Sequence, residues 1–146
     1  MTDVAFHFNL PDKLGYACRL LRKAVGAGSQ VIVTGEPHVL QQLDQLLWTF
    51  APLEFIPHCW ADASEAMLSR TPVVLQADLQ VSVHQDVLVS LHPDVVPGFE
   101  RFARLIELVG PDDADRQMAR LRWKRYQEQG YTITRHDVAA KSAAAQ

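Results

Sequence analysis

A chain of 146 residues with 48% hydrophobic and 21% charged side chains is long enough to bury one core and too apolar to remain disordered. Its 14 basic against 17 acidic residues, a net charge of −3, argue against a protein that coats nucleic acid, because such proteins neutralise many phosphates with an excess of Lys and Arg over the whole domain. No apolar run approaches the roughly 18 to 20 residues of a membrane span, and the opening MTDVAFHFNL carries an acid and alternates apolar with polar residues, unlike a secretory leader; a cytoplasmic location is expected.

The stretch VAFHFNL, Val4 to Leu10, alternates as a first strand does. LGYACRLLRKAVGAG then spaces Leu14, Ala17, Cys18, Leu21 and Val25 along one helix face and stops at Gly26 and Gly28. QVIVTG is a short β-branched run suited to a strand buried on both faces. PHVLQQLDQLLWTF repeats apolar side chains at Val39, Leu40, Leu43, Leu46, Leu47 and Phe50 and predicts a second helix. LEFIPH follows as a third strand, with TPVVLQ and DVLVSL as a fourth and fifth. Between His58 and Thr71 the pattern fits either a short helix or a surface loop.

Beyond the fifth strand, Phe99, Phe102, Ala103, Leu105 and Ile106 fall at helical spacing and predict a helix over PGFERFARLIELVG. GPDD stops it and starts another, with Asp112, Asp113 and Asp115 in the first turn, where negative charge suits the helix dipole. The tail DVAAKSAAAQ has little to bury. Alternating strands and helices argue for a three-layer, Rossmann-like α/β fold, a largely parallel sheet flanked by helices, in a single domain over residues 1–136 with a flexible tail from 137 to 146.

Nothing in this order supplies a nucleotide site. The glycines of VGAGSQVIVTG close a helix before a strand, whereas a phosphate loop follows a strand and opens a helix. Gly35, at the one strand-to-helix turn with a glycine, is followed by Glu36, which repels phosphate. Cys18 and Cys59 are far apart, so neither a disulfide framework nor the clustered ligands of a zinc site is indicated, and no metal or cofactor is expected. Of the six histidines, His58 and His92 stand at strand ends, where α/β active sites form; the alternative reading from a different class is therefore a small α/β nucleotide-binding protein or hydrolase with its site near them. No G-x-S-x-G turn or carboxylate pair supports it.

Two clusters invite a binding role. Trp48 and Phe55 bracket a helix-to-strand connection; such aromatic residues are either core or the anchors of an interface, and the sequence leaves both open. The second cluster is RQMARLRWKRY, Arg116 to Tyr126, with five basic residues and no acidic one, in a chain that otherwise carries 9 basic against 17 acidic. At about 100° per residue, Arg116, Arg120, Trp123 and Gln127 share one stripe, and Ala114, Met118 and Leu121 form the opposite one, the expected core face. Two guanidiniums beside an indole suit a ligand that is both acidic and hydrophobic, such as a peptide ending in a carboxylate. A further reading has Arg122, Lys124, Arg125 and Tyr126 bind single-stranded nucleic acid directly.

The opening strand, the LDQLLW helix, FIPH, DVLVSL, FERF and the closing pattern of Arg116, Arg120, Arg125, Tyr126, Gly130 and Tyr131 together resemble the chi subunit of bacterial DNA polymerase III, a small clamp-loader accessory protein, over nearly the whole length. The resemblance implies an adaptor without catalytic activity or cofactor. It implies two partners: the psi subunit, expected in a 1:1 heterodimer, and the acidic C-terminal tail of single-stranded-DNA-binding protein, an Asp-rich run followed by Ile-Pro-Phe. The tail-binding positions carry over to Val109, Arg116, Arg120 and Trp123, with Arg116 where the family also uses Lys and Trp123 where it also uses Tyr. Trp48 and Phe55 match the psi surface, for which a helicase competes in some bacteria. Contact with DNA is then indirect.

Overall fold

Residues 1–49, 55–79 and 83–139 are described by a computed structural model of the chain. In chain order the elements are β1 (Asp3–Phe8), α1 (Lys13–Gly26), β2 (Val31–Thr34), α2 (Pro37–Thr49), β3 (His58–Trp60), α3 (Glu65–Arg70), β4 (Val73–Leu75), β5 (Val87–Ser90), a 3-10 turn (Phe99–Arg101), β6 (Arg104–Leu108), α4 (Asp113–Glu128) and β7 (Ile133–Asp137). The seven strands form one sheet in the order β3-β4-β2-β5-β6-β1-β7, and every recorded pairing is parallel.

Strand alternation divides the apolar side chains between two cores, one on each face. Val31, Val33, Val73, Leu75, Val87, Val89, Ile106 and Leu108 pack with α1 and α2; Val4, Phe6, Ile32, Val74, Leu88 and Leu105 pack with Ala119 and Tyr126 of α4. This double burial is why the central strands read as unbroken apolar runs. The expected three-layer fold with a largely parallel sheet is what the chain adopts. Asp12 caps α1 by accepting from the Gly15 amide at 3.0 Å, and Gly28 follows that helix with φ of 83°.

Three local expectations are corrected and one open alternative is decided. The third strand begins at His58, so Phe55 to Pro57 lead into it, while Leu53 and Glu54, like Phe50, lie outside the described residues. The open segment after His58 holds both strand β3 and helix α3, capped by the Ser64 hydroxyl. The predicted helix over 97–110 is instead the 3-10 turn and strand β6; its run is buried on both faces, so Phe99, Phe102, Leu105 and Ile106 imitate helical spacing. Residues 133–137 form the edge strand β7, an element absent from the expected order; it takes in Asp137, the expected start of the tail, which accepts a hydrogen bond from Asn9 at 3.0 Å. Residues 140–146 of the expected tail lie outside the described residues.

The largest revision concerns α4. Its buried side chains are Ala119, Arg122 and Tyr126, whereas Leu121 is 60% exposed, Ala114 is exposed and Met118 is half-buried. An arginine faces the core because Glu107 of β6 waits for it there: Arg122 Nε donates to Glu107 Oε2, Arg122 Nη1 to the Pro93 carbonyl, and Tyr126 Oη to Glu107 Oε1 at 3.3 Å. Burial pushes the Glu107 carboxyl up, and the Arg122 guanidinium and Tyr126 hydroxyl oppose that shift. The network sets the rotation of α4 about its axis.

Candidate functional site

Because Arg122 and Tyr126 turn inward, Arg116, Arg120 and Trp123 turn toward the sheet edge formed by β1 and β7. There they line a cleft of about 400 Å³. Its apolar floor comes from Phe6 and Phe8 of β1, Val109 just after β6, and Ala119 and Trp123 of α4; its rim carries Arg116, Arg120 and Arg135. The Phe6 and Trp123 rings lie 5.1 Å apart, and Phe6 is also 6.0 Å from Tyr126. All four positions carried over by the resemblance, Val109, Arg116, Arg120 and Trp123, therefore meet in one concavity.

Both ends of α4 are anchored by local chemistry. At the start, Asp112 caps the helix by accepting from the Asp115 amide at 3.2 Å, while Asp115 accepts from the Gly110 amide at 2.7 Å and from Lys13 Nζ at 3.1 Å. At the finish, Gly130 takes φ of 84°, its amide bonds the Gln127 carbonyl at 3.1 Å, and the Tyr131 amide reaches the Tyr126 carbonyl at 3.1 Å. This pair of bonds is the Schellman turn that favours glycine. It reverses the chain into β7, where Arg135 sits opposite Phe6 in register.

Arg135 is the site residue that sequence reasoning missed. Its guanidinium carbon lies 5.4 Å from the Phe8 ring centroid and 5.9 Å from that of Trp123. ITRHD hid it, since an edge strand needs no apolar run. The only available signal was the Gly130 stop followed by Ile133, a β-branched residue that restarts the sheet.

The second cluster lies at the other edge. Trp48 and Phe55 are each 59% exposed, and their rings pack at 5.2 Å, which resolves the open question of core against surface in favour of surface. Beneath them is His58, whose ring meets Trp48 edge-on at 5.0 Å. Its Nδ1 lies 2.8 Å from the Ile56 carbonyl oxygen and its Nε2 2.9 Å from the Asp44 carboxylate, with the side chain only 1% exposed. The Asp of LDQLLW and the His of FIPH are thus one interaction that props the aromatic pair.

The enzyme reading loses its geometry here. His58 opens β3 with both ring nitrogens within hydrogen-bond distance of protein oxygens, while His92 follows the end of β5; in a parallel sheet these are opposite ends. His84 is buried and donates to the Thr71 carbonyl at 2.7 Å. Gly35 has a packing reason to be glycine, since a Cβ there would stand 3.2 Å from Leu91 Cβ. Direct strand binding by Arg122 and Tyr126 is also corrected, because both are buried in the Glu107 network. Among the described residues no cluster of three metal-ligating side chains occurs, and no helix is long and apolar enough to cross a membrane.

What remains is a Rossmann-like α/β module with an exposed aromatic pair at one sheet edge and a cationic cleft at the other. The family model described as DNA polymerase III chi subunit, HolC, matches residues 1–134, and the chain belongs to that family, which places it in DNA replication. It is similar to the DNA polymerase III subunit chi of Pseudomonas aeruginosa, 36% identical over 126 residues and covering 85% of each chain. It is also similar to the protein of that name from Haemophilus influenzae, 28% identical over 124 residues, covering 84% of this chain and 85% of the relative.

Proposed function

We propose that the protein is a non-catalytic adaptor that joins the clamp loader, through psi, to the acidic C-terminal tail of single-stranded-DNA-binding protein. The observation that carries this reading is the cleft: five apolar side chains under three guanidiniums, with no carboxylate among its lining residues. In it, Arg116 and Arg120 pair with the tail's aspartates and terminal carboxylate, and Val109 and Trp123 enclose the terminal Phe. Many tails on one coated template then hold the replicase through effective concentration, although each contact is weak. Trp48 and Phe55 form the psi surface, with the helicase as a competitor for it, in a 1:1 complex.

A fluorescence-anisotropy titration tests the cleft, using a labelled synthetic peptide with an Asp-rich run ending in Ile-Pro-Phe, with and without the Phe, at two salt concentrations. Saturable binding that needs the Phe and weakens with salt is expected. Absence of binding at low salt removes the reading. The rival enzyme reading predicts a rise in melting temperature with ATP, GTP or NAD, and none is expected.

A further inference from the structure

We propose that Arg135, on edge strand β7, is a third anion-gripping side chain of the cleft, taking a ligand carboxylate from the sheet side while Arg116 and Arg120 take others from α4. The inference rests on the peptide-binding reading above and extends its site onto a strand that the carried-over residues do not include.

Three observations support it. First, Arg135 pairs in register with Phe6, so it projects on the face covered by α4 and lines the same cavity as Arg116 and Arg120. Second, its guanidinium lies against two rings, Phe8 at 5.4 Å and Trp123 at 5.9 Å. Aromatic faces hold a guanidinium plane without using its N–H groups, whose fork then remains available to a carboxylate. Third, none of the three arginines forms an ion pair among the described residues. Three cations converging on a cleft with no carboxylate among its lining residues repel one another, and an acidic occupant relieves that repulsion. With cations on both walls, the occupant is gripped across the cleft rather than along a single helix.

The test compares wild type with Arg135→Ala, Arg135→Met, Arg135→Lys and Arg120→Ala against the Asp-rich peptide ending in Ile-Pro-Phe, by anisotropy at several salt concentrations. Arg135→Ala and Arg135→Met are expected to bind about fivefold more weakly at low salt and to show a shallower dependence of log Kd on log salt, as loss of a charge contact requires. Met keeps an apolar stem against the rings, so a role in wall packing alone leaves the salt slope of Arg135→Met at the wild-type value. Arg135→Lys is expected to restore the slope but only part of the affinity, because an ammonium neither stacks nor forks. Wild-type affinity and slope in Arg135→Met, beside weakened binding in Arg120→Ala, overturn this inference and leave the cleft reading intact. A wild-type protein that does not bind the peptide overturns both.

Discussion

At the β3 edge the exposed feature is two rings, Trp48 and Phe55, lifted into solvent by the end of α2 and the segment before β3. At the β7 edge it is a concavity, rimmed by guanidiniums over a buried floor that includes Val109 and Phe6. Six strand spacings of roughly 4.8 Å separate the edge strands by about 30 Å, and α2 and α4 cover opposite faces of the sheet. The two surfaces ask for different partners. Exposed aromatic anchors reward a folded, apolar counterpart that stays bound, whereas charged clefts reward a short acidic segment that comes and goes with ionic strength. A molecule with one of each, well separated, can hold a permanent partner at one edge and sample a transient one at the other.

The comparison also exposes a difference in how each surface is built. The aromatic pair stands on His58, held between the partly exposed Asp44 and the buried Ile56, but the cleft depends on the buried Glu107, Arg122 and Tyr126 network that fixes the rotation of α4. The largest expected effect is therefore at Arg122. Arg122→Met leaves Glu107 buried without its cation and is expected to cost about 3–5 kcal/mol of stability, by urea unfolding at pH 7.5. The pH dependence has a definite sign. With the guanidinium gone, burial is opposed only by the Tyr126 hydroxyl and the more distant Lys13 charge, so the folded-state pKa of Glu107 rises further above the unfolded value of about 4.3 and ionisation is penalised only in the fold. The penalty grows as pH rises through that window, so the variant's deficit should shrink as pH falls toward 5. Adding Glu107→Gln should remove this pH dependence; its persistence would assign the deficit to packing.

Next in size is Trp48→Ala. Loss of a central anchor is expected to weaken binding to psi by about 2 kcal/mol, roughly 30-fold, with little change in salt dependence and none in affinity for the acidic peptide. Phe55→Ala should behave alike, and calorimetry at two ionic strengths reads both. A smaller effect is expected of Arg120→Ala, about 1 kcal/mol on the acidic peptide with a shallower salt slope, and no effect on psi. If either substitution weakens both partners equally, the two surfaces are not separate and the comparison fails.

How much of this was legible in the chain follows the same division. The LDQLLW and FIPH segments point to the β3 edge because α2 is a plain amphipathic helix, with Leu40, Leu43 and Leu47 buried. What could not be read was exposure, since Trp48 has the composition of a core residue. At the β7 edge, Arg116, Arg120 and Trp123 share one helical stripe in the sequence, yet the core side of α4 differs from the one its pattern predicts: Ala114, Met118 and Leu121 are the apolar stripe, but the sheet buries Ala119, Arg122 and Tyr126. Arg122 reads as a solvent residue until Glu107 is seen across from it, fifteen positions earlier on β6. β6 was hidden by the helical spacing of Phe99 to Ile106, and β7, with Arg135, by its polar composition. The errors share a cause: long-range pairing decides these positions, and local pattern does not carry it.

The smallest expected effect is the most pointed test of the division. Coupling between two binding sites is a free energy, and it requires that one ligand change the equilibrium of something the other also senses. Here the surfaces rest on separate cores, one on each face of the sheet, with one continuous parallel ladder between them. Saturating the protein with psi is therefore expected to shift its affinity for the acidic peptide by less than about twofold, under roughly 0.4 kcal/mol, and the reverse shift must be equal by linkage. Anisotropy of the labelled peptide against the free protein and the psi complex reads this directly. A shift of about tenfold or more would mean that psi reaches the β7 edge or reorients α4, and the two surfaces would then be halves of one interface.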